Sequence, residues 1–422
     1  MRESLTGKTP TRREVGDQKS VGTAPITPVP RHGRTVLRWM VGVIVVLHGL
    51  IHSLGVAKGL GWGEVTQLTE PISTTMGVVW LAATALVVAA GVMLAVSARG
   101  WWGVGLVAAV VSQAVILSSW TDAKAGTLIN IVLFAASSYG FASQRRSSLR
   151  TEYRHRVVTA LAEPLHAGVV VEADVMALPG PVAAYVRQSG AVGQSRVMNF
   201  RAAIHGRIRS GPGKPWMSFT GEQVNTYGAA PSRLFFIDAT LYGLPIDVLH
   251  VLVGPSATMR VRVCSLIPIV NAAGPQMDRA ETVTLFNDLC VLAPAGLIDA
   301  PITWQELDEH HVRAAFTNGP HTVTADLVFN DEHELTDFTS DDRLSVSSDG
   351  NTFTPQRWST PLGRYGALGS RRLATYGEGH WHAPEPKGEF SYLEFHLDTI
   401  TYNTDATAAS PRAASQVGIS PP

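Results

Sequence analysis

The sequence predicts a four-span membrane α-helical bundle joined to a soluble α+β domain with a large antiparallel sheet. Three observations predict it. Of 34 basic and 34 acidic residues in a chain of 422, only Lys58, Glu64, Glu70, Arg99, Asp122 and Lys124 fall between Trp39 and Ser143. Within that stretch, four apolar runs approach the roughly 20 residues that a helix rising 1.5 Å per residue needs to cross about 30 Å of hydrocarbon. Beyond about Thr151, short alternating segments separated by turn dipeptides replace them, as expected of strands. A net charge of zero argues against a nucleic-acid partner, which would call for a basic stripe. Two cysteines form neither a disulfide framework nor a CxxC pair.

Residues 1–35 are rich in Thr, Pro, Gly and charge without periodicity and are expected to be a disordered basic tail. The bundle is placed at 36–145, with spans at 39–57, 76–96, 101–119 and 126–142 that contain no Lys, Arg, Asp or Glu. Trp39, Trp62, Trp101, Trp102 and Trp120 fall at or near span ends, where an indole prefers the interface. Eight basic residues precede the first span, five follow the fourth between Arg145 and Arg156, and Arg99 sits in the second connection, fourteen in all. The other side holds Lys58 and Lys124. The positive-inside rule then puts both termini in the cytoplasm of a multipass inner-membrane protein.

His48 and His52 lie one turn apart on one face of the first span. With spans alternating in direction, His52, Gln113 and Asn130 share a level roughly 4 to 6 Å outward of the midplane. Polar side chains in lipid turn inward and find one another, so one polar cluster is expected. It has two readings: a site for a proton, a quinone-like head group or an imidazole-ligated metal, or hydrogen bonds that only hold the helices together.

The soluble domain is placed at 146–403. Residues 151–165 read as a basic amphipathic helix leaving the membrane, with Tyr153, Val157, Val158, Leu161 and Leu165 near one side. A short helix is expected after Pro179-Gly180-Pro181. Strands are expected at 197–208, 216–219, 234–241, 248–253, 257–266, 312–317, 322–329, 343–346, 373–382 and 392–402. One helix interrupts them. Asp278 is its expected N-cap, with Glu281 completing a capping-box spacing, and it stops before Pro294. The tail, 404–422, is rich in Ala, Ser and Pro.

Motifs of catalysis are sparse. Gly211-Pro212-Gly213-Lys214 lacks the Walker spacing, and GxSxG, HExxH and dinucleotide fingerprints are missing. Glu378, His380 and His382 fall on one strand face, and Asp308, His310 and His311 stand near one another, but an exposed strand face is favoured over a metal site. No cofactor is expected. Cys264 and Cys290 read as buried, inert thiols.

The chain resembles uncharacterised bacterial multipass membrane proteins that join a small helical bundle to a domain of unknown function. The stretches that carry the resemblance are LHGLIHSLGVAK (47–58), LTEPIS (68–73), Ser112-Gln113 and WTDAKAGTLIN (120–130) in the bundle. In the soluble part they are LPGPVAAYVRQS (178–189), WMSFTGEQ (216–223), GPQMDRAE (274–281), WQELD (304–308) and GEFSY (388–392). The motif positions singled out are Trp216, Glu222, Gln223, Asp278, Glu281, Trp304, Glu389 and Tyr392. The soluble part is loosely similar to half-barrel lipoprotein-carrier folds, which implies a curved sheet and a lipid-like ligand. Those carriers work outside the inner membrane, whereas the count of basic flanks puts this domain inside.

The leading expectation is a cytoplasmic domain that binds an apolar or lipid-like molecule near the bilayer, with membrane lipid as partner. The alternatives are a redox or proton-handling protein centred on His48 and His52, and a membrane scaffold or assembly factor. The protein partner is left open.

Overall fold

The computed structural model describes residues 32–163, 167–347 and 349–406. The two expected tails lie outside the described residues except at 32–35 and 404–406. The N-terminal part is helical: α1 (His32–Ile51), α2 (Ser53–Gly59), α3 (Thr74–Ala95), α4 (Trp101–Ser118), α5 (Trp120–Ala123) and α6 (Gly126–Gln144). Four helical stretches, with α2 continuing α1, are long and apolar enough to cross a membrane. Helix α1 starts at His32, inside the stretch expected to be a tail. The outward surface is apolar, with Val110, Leu117, Leu128, Ile131 and Phe134 all exposed. A bundle built for water would turn these side chains inward.

Small residues set the contact of α1 and α2 with α3. A Cβ on Gly42 would meet the Gly91 carbonyl at 2.9 Å, and one on Gly55 would meet the Trp80 ring at 2.2 Å. Outside the long apolar helices, the Asp122 carboxylate accepts the Thr69 amide at 2.6 Å, and the Thr121 hydroxyl donates to Glu70 at 2.7 Å. The connection before α3 is thereby stitched to α5.

Helices α7 (Leu149–Ala160), α8 (Glu172–Met176) and α9 (Gly180–Gln188) lead into the strands. These are β1 (Asn199–Ile208), β2 (Met217–Thr226), β3 (Ser232–Leu241), β4 (Leu244–Val253), β5 (Ser256–Val263) and β6 (Ile267–Ala273). After α10 (Pro275–Leu292) and a 3-10 turn (Pro294–Ile298) come β7 (Ile302–Glu306), β8 (His311–Asn318), β9 (His321–Phe329) and β10 (Leu335–Ser340). The chain ends with β11 (Leu344–Val346), β12 (Phe353–Pro355), β13 (Arg357–Ser359), β14 (Leu362–Leu368), β15 (Arg371–His382) and β16 (Glu389–Tyr402).

Strands β11 and β12 form a separate hairpin. The others make one antiparallel sheet in the order β6-β5-β4-β3-β2-β1-β16-β15-β13-β10-β9-β8-β7, with β14 beside β15. Helix α10 touches β5 and β6 near one end of this order and β9 and β10 near the other. At about 4.8 Å per strand, β5 and β9 would stand roughly 43 Å apart in a flat sheet. A helix of 18 residues, about 27 Å long and 10–12 Å across, reaches both because the sheet bends around it.

The opposite face of the sheet receives α7. Strand β3 shows the division: Phe235, Ile237 and Ala239 join the core around α10, while Leu234 and Phe236 pack with Leu149, Tyr153, Val157 and Leu161. Coverage on both sides explains why Leu234–Phe235–Phe236–Ile237 reads as an unbroken apolar run. The expected amphipathic helix thus spends its apolar side on the sheet. Val158 stays exposed, and Leu165 lies outside the described residues.

Two further expectations are corrected. Helix α10 begins at Pro275 with Gly274 as its N-cap, so Asp278 is not a cap and no capping box forms; the Asp278 carboxylate instead accepts the Ala257 amide at 2.6 Å. Cys290 is buried, but Cys264 is only half-buried and sits in a turn with φ of 52°.

Candidate functional site

Two polar clusters are built into apolar surroundings. The first joins three helices of the bundle. His52 Nε2 lies 2.6 Å from Ser112 Oγ, and the Ser112 hydroxyl donates to Asn130 Oδ1 at 2.8 Å. With its one proton given to Asn130, Ser112 accepts from His52, so His52 carries its proton on Nε2. Asn130 Nδ2 donates to Gln113 Oε1 at 3.0 Å, and Gln113 Nε2 to Thr127 Oγ1 at 3.1 Å. His48 Nε2 approaches the same Ser112 hydroxyl at 3.4 Å.

The structure therefore brings His48, His52, Gln113 and Asn130 together, with Ser112 as the hub. His48 and His52 are 6% and 2% exposed. Their rings meet edge to face at 4.6 Å, and the Trp80 indole packs on His52 at 5.2 Å in the space left by Gly55. Helix α1 tightens locally here, where the His52 amide donates to the Gly49 carbonyl three residues back. Two imidazoles on one side of the cluster can hold or pass a proton, or bind one polar head group.

The second cluster lies where α10 crosses the sheet. Every residue from Ala280 to Leu292 is buried, so the polar positions of this helix need partners inside. Arg233 supplies two of them: its Nη1 lies 3.0 Å from Glu281 Oε2, and its Nε 2.6 Å from Asp288 Oδ2. Gln223 and Asn225 also donate to Asp288, at 2.6 and 3.1 Å. The other Glu281 oxygen faces His250 Nδ1 at 3.4 Å and Arg343 Nη2 at 3.5 Å. Burial alone would raise the Glu281 carboxyl, but His250, Arg233 and Arg343 outweigh it and hold that carboxyl well below its usual range. Asn287 donates to Thr360 Oγ1 at 3.1 Å. This network fixes the helix in place; sequence analysis named only Gln223 and Glu281 of it.

The sequence pattern of a family of unknown function, DUF6544, matches residues 168–395, just over half of the chain. The chain belongs to this family. No curated protein matches it. Among solved structures, a Vibrio parahaemolyticus domain described as an outer membrane lipoprotein-sorting protein domain aligns with a TM-score of 0.28 and 11% identity, over 49% of this chain and 86% of that one. A DUF1329 family protein from Desulfovibrio piger aligns with a TM-score of 0.32 and 9% identity, over 58% of this chain and 99% of that one.

Within the DUF6544 domain the remaining motif positions scatter. Glu222 points to the face opposite Gln223 and pairs with Arg201 at 3.4 Å. The guanidinium carbons of Arg207 and Arg209 lie 4.5 and 4.4 Å from the centroid of the Trp216 ring. Trp304 packs half-buried against the main core. Tyr392 is half-buried beside Trp381, ring centroids 5.5 Å apart.

Glu389 accepts from His380 Nδ1 at 2.7 Å, while His380 Nε2 faces Glu378 at 2.9 Å. His382 Nε2 meets the Ser359 hydroxyl at 2.8 Å. His310 faces Asp331, and His311 faces Asp308. Among the described residues no group of three or more His, Cys, Asp or Glu has the geometry of a metal site.

Proposed function

We propose that the chain is a multipass inner-membrane protein with both termini in the cytoplasm, whose DUF6544 domain engages lipid at the surface of the cytoplasmic leaflet. One observation carries the reading: the domain is fastened beside the end of the last apolar helix. Only residues 145–148 separate α6 from α7, a distance of at most about 17 Å even when extended. Arg262 Nη1 donates to the Ser147 carbonyl at 2.9 Å, Arg260 pairs with Glu152 at 2.6 Å, and Arg150 with Asp238 at 2.6 Å. The fourteen basic residues flanking one side of the spans support the cytoplasmic placement.

The interior of the sheet is taken up by α10. This supports contact with lipid at the outside of the domain over carriage within it. The test is to extract the full chain into polymer nanodiscs and compare its retained lipids with the bulk membrane. Enrichment of one headgroup class supports the reading; a lipid profile identical to the bulk membrane sinks it.

The His52–Ser112–Asn130 chain favours a second reading, a proton- or redox-handling site in the bundle. An optical spectrum and metal analysis, alongside a His48→Ala/His52→Ala variant, test it. No chromophore, no metal and no change in cell phenotype on substitution would discard it.

A further inference from the structure

We propose that the turns of the β3–β4 and β5–β6 hairpins, with the start of β6, form a rim that inserts into the headgroup region of an anionic leaflet beside α6. The inference rests on the reading that α6 crosses a bilayer, and it names the part of the domain that meets lipid. Register places both turns at one end of the sheet, since Leu241 pairs with Leu244, Val263 with Ile267, and Ile246 with Val263. That end is strongly apolar and open: Tyr242 is 85% exposed, Ile267 60% and Leu244 54%, with Leu266 and Ile269 also exposed. Neither Tyr242-Gly243-Leu244 nor Cys264-Ser265-Leu266-Ile267-Pro268-Ile269 contains a charge. Scattered exposed apolar residues need no explanation, but a contiguous group marks a contact surface.

The position of the rim identifies its occupant. Arg262, which holds the Ser147 carbonyl three residues beyond α6, is the strand partner of Pro268, between Ile267 and Ile269. The apolar residues therefore sit next to the point where the chain leaves its last span. Arg145, Arg260 and Arg262 gather there, and burial together with the other two arginines pushes the Arg262 guanidinium below its ordinary value. Nearby acids are engaged: Asp247 accepts the Ser265 hydroxyl, Asp238 holds Arg150 and Glu152 holds Arg260. Exposed Arg146 adds a fourth cation on the chain leaving α6. Apolar tips flanked by cations fit an anionic lipid surface, with the Tyr242 ring at headgroup level. Pro268, lacking an amide proton, works against strand addition by a second copy at the β6 edge.

The experiment uses the full chain in vesicles of phosphatidylcholine with phosphatidylglycerol, in a Cys264→Ser background that leaves the buried Cys290 in place. Single nitroxides are attached at Tyr242→Cys or Ile267→Cys, with Val110→Cys as the lipid control and Asp331→Cys, in the β9–β10 turn, as the water control. Power saturation should show the labels at 242 and 267 colliding with oxygen, relative to an aqueous nickel chelate, several-fold more than the label at 331. The contrast should shrink in pure phosphatidylcholine. A Leu244→Glu/Ile269→Glu variant, altered only at exposed positions, should return the label at 242 to water. The proposal is overturned if both rim labels behave like 331 while 110 reads lipid, or if they show dipolar broadening between copies instead. A label at 110 that reads water would remove the membrane-spanning reading itself, and the rim with it.

Discussion

Arg233 Nη1 stands 3.0 Å from Glu281 Oε2 inside the sheet, and the Glu281 side chain is 1% exposed. This pair ties α10 to β3. Removing one partner strands the other charge, so Glu281→Gln or Arg233→Met should each cost about 3–5 kcal/mol, and the double replacement Arg233→Met/Glu281→Leu should recover little of that, because it leaves Asp288 without its guanidinium and Arg343 without its carboxylate. Because the folded Glu281 carboxyl is held below its ordinary value of 4.5, its contribution is fully present above that value and is lost as pH falls toward the depressed one. Thermal melts of the full chain between pH 3 and 7 should show a shallower acid slope for Glu281→Gln.

His380 offers the opposite sign. Partial burial opposes its charge, but hydrogen bonds to Glu378 and Glu389 raise its pKa above the ordinary 6.5. Its contribution to stability is therefore complete below pH 6.5 and lost as pH rises through the elevated value. Titration of the His380 ring signals by NMR should give an apparent pKa above 6.5 that falls on Glu389→Gln. With a carboxylate at each ring nitrogen, added zinc should leave the wild-type melting temperature unchanged.

Ser112 closes the chain of hydrogen bonds that crosses the helical bundle. Ser112→Ala removes the partner of both His52 and Asn130, and should destabilise the bundle by about 0.6–1.7 kcal/mol in detergent or nanodisc unfolding. Ser112→Thr keeps the hydroxyl and should restore part of that loss.

Tyr153 fastens α7 to β3, with its ring 5.8 Å from that of Phe236, yet its hydroxyl is buried without a hydrogen-bond partner among the described residues. Tyr153→Phe should leave stability unchanged or raise it by about 1 kcal/mol. Tyr153→Ala should lower it by about 3–5 kcal/mol. Melting the two variants side by side separates packing from polarity.

The four long apolar helices were legible because uninterrupted apolar runs need no partner to be read, and helix rise alone puts His52, Gln113 and Asn130 within reach of one another. Ser112 was passed over as a site because a serine in an apolar helix is unremarkable until its neighbours are known. Strands β6 and β10 were missed, the first broken by Pro268 and the second, Leu335-Thr336-Asp337-Phe338, mixed in polarity. Strands β7, β12 and β13 were also missed, being only three to five residues long, and in β14 Gly363 and Gly366 interrupt the apolar pattern. Helix α10 was found but its start misplaced, since Pro275 at the first position fits a helix as well as a turn. Its charged residues are buried against Arg233, His250 and Arg343, partners at least 31 residues away, and no local pattern encodes such pairings.

The placement of the DUF6544 domain on the inner side of the membrane is tested most directly by paired fusions behind Pro422. Green fluorescent protein, which matures in the cytoplasm, should fluoresce there, and alkaline phosphatase, which folds only in the periplasm, should stay silent. An active phosphatase with a dark fluorescent fusion would contradict the account.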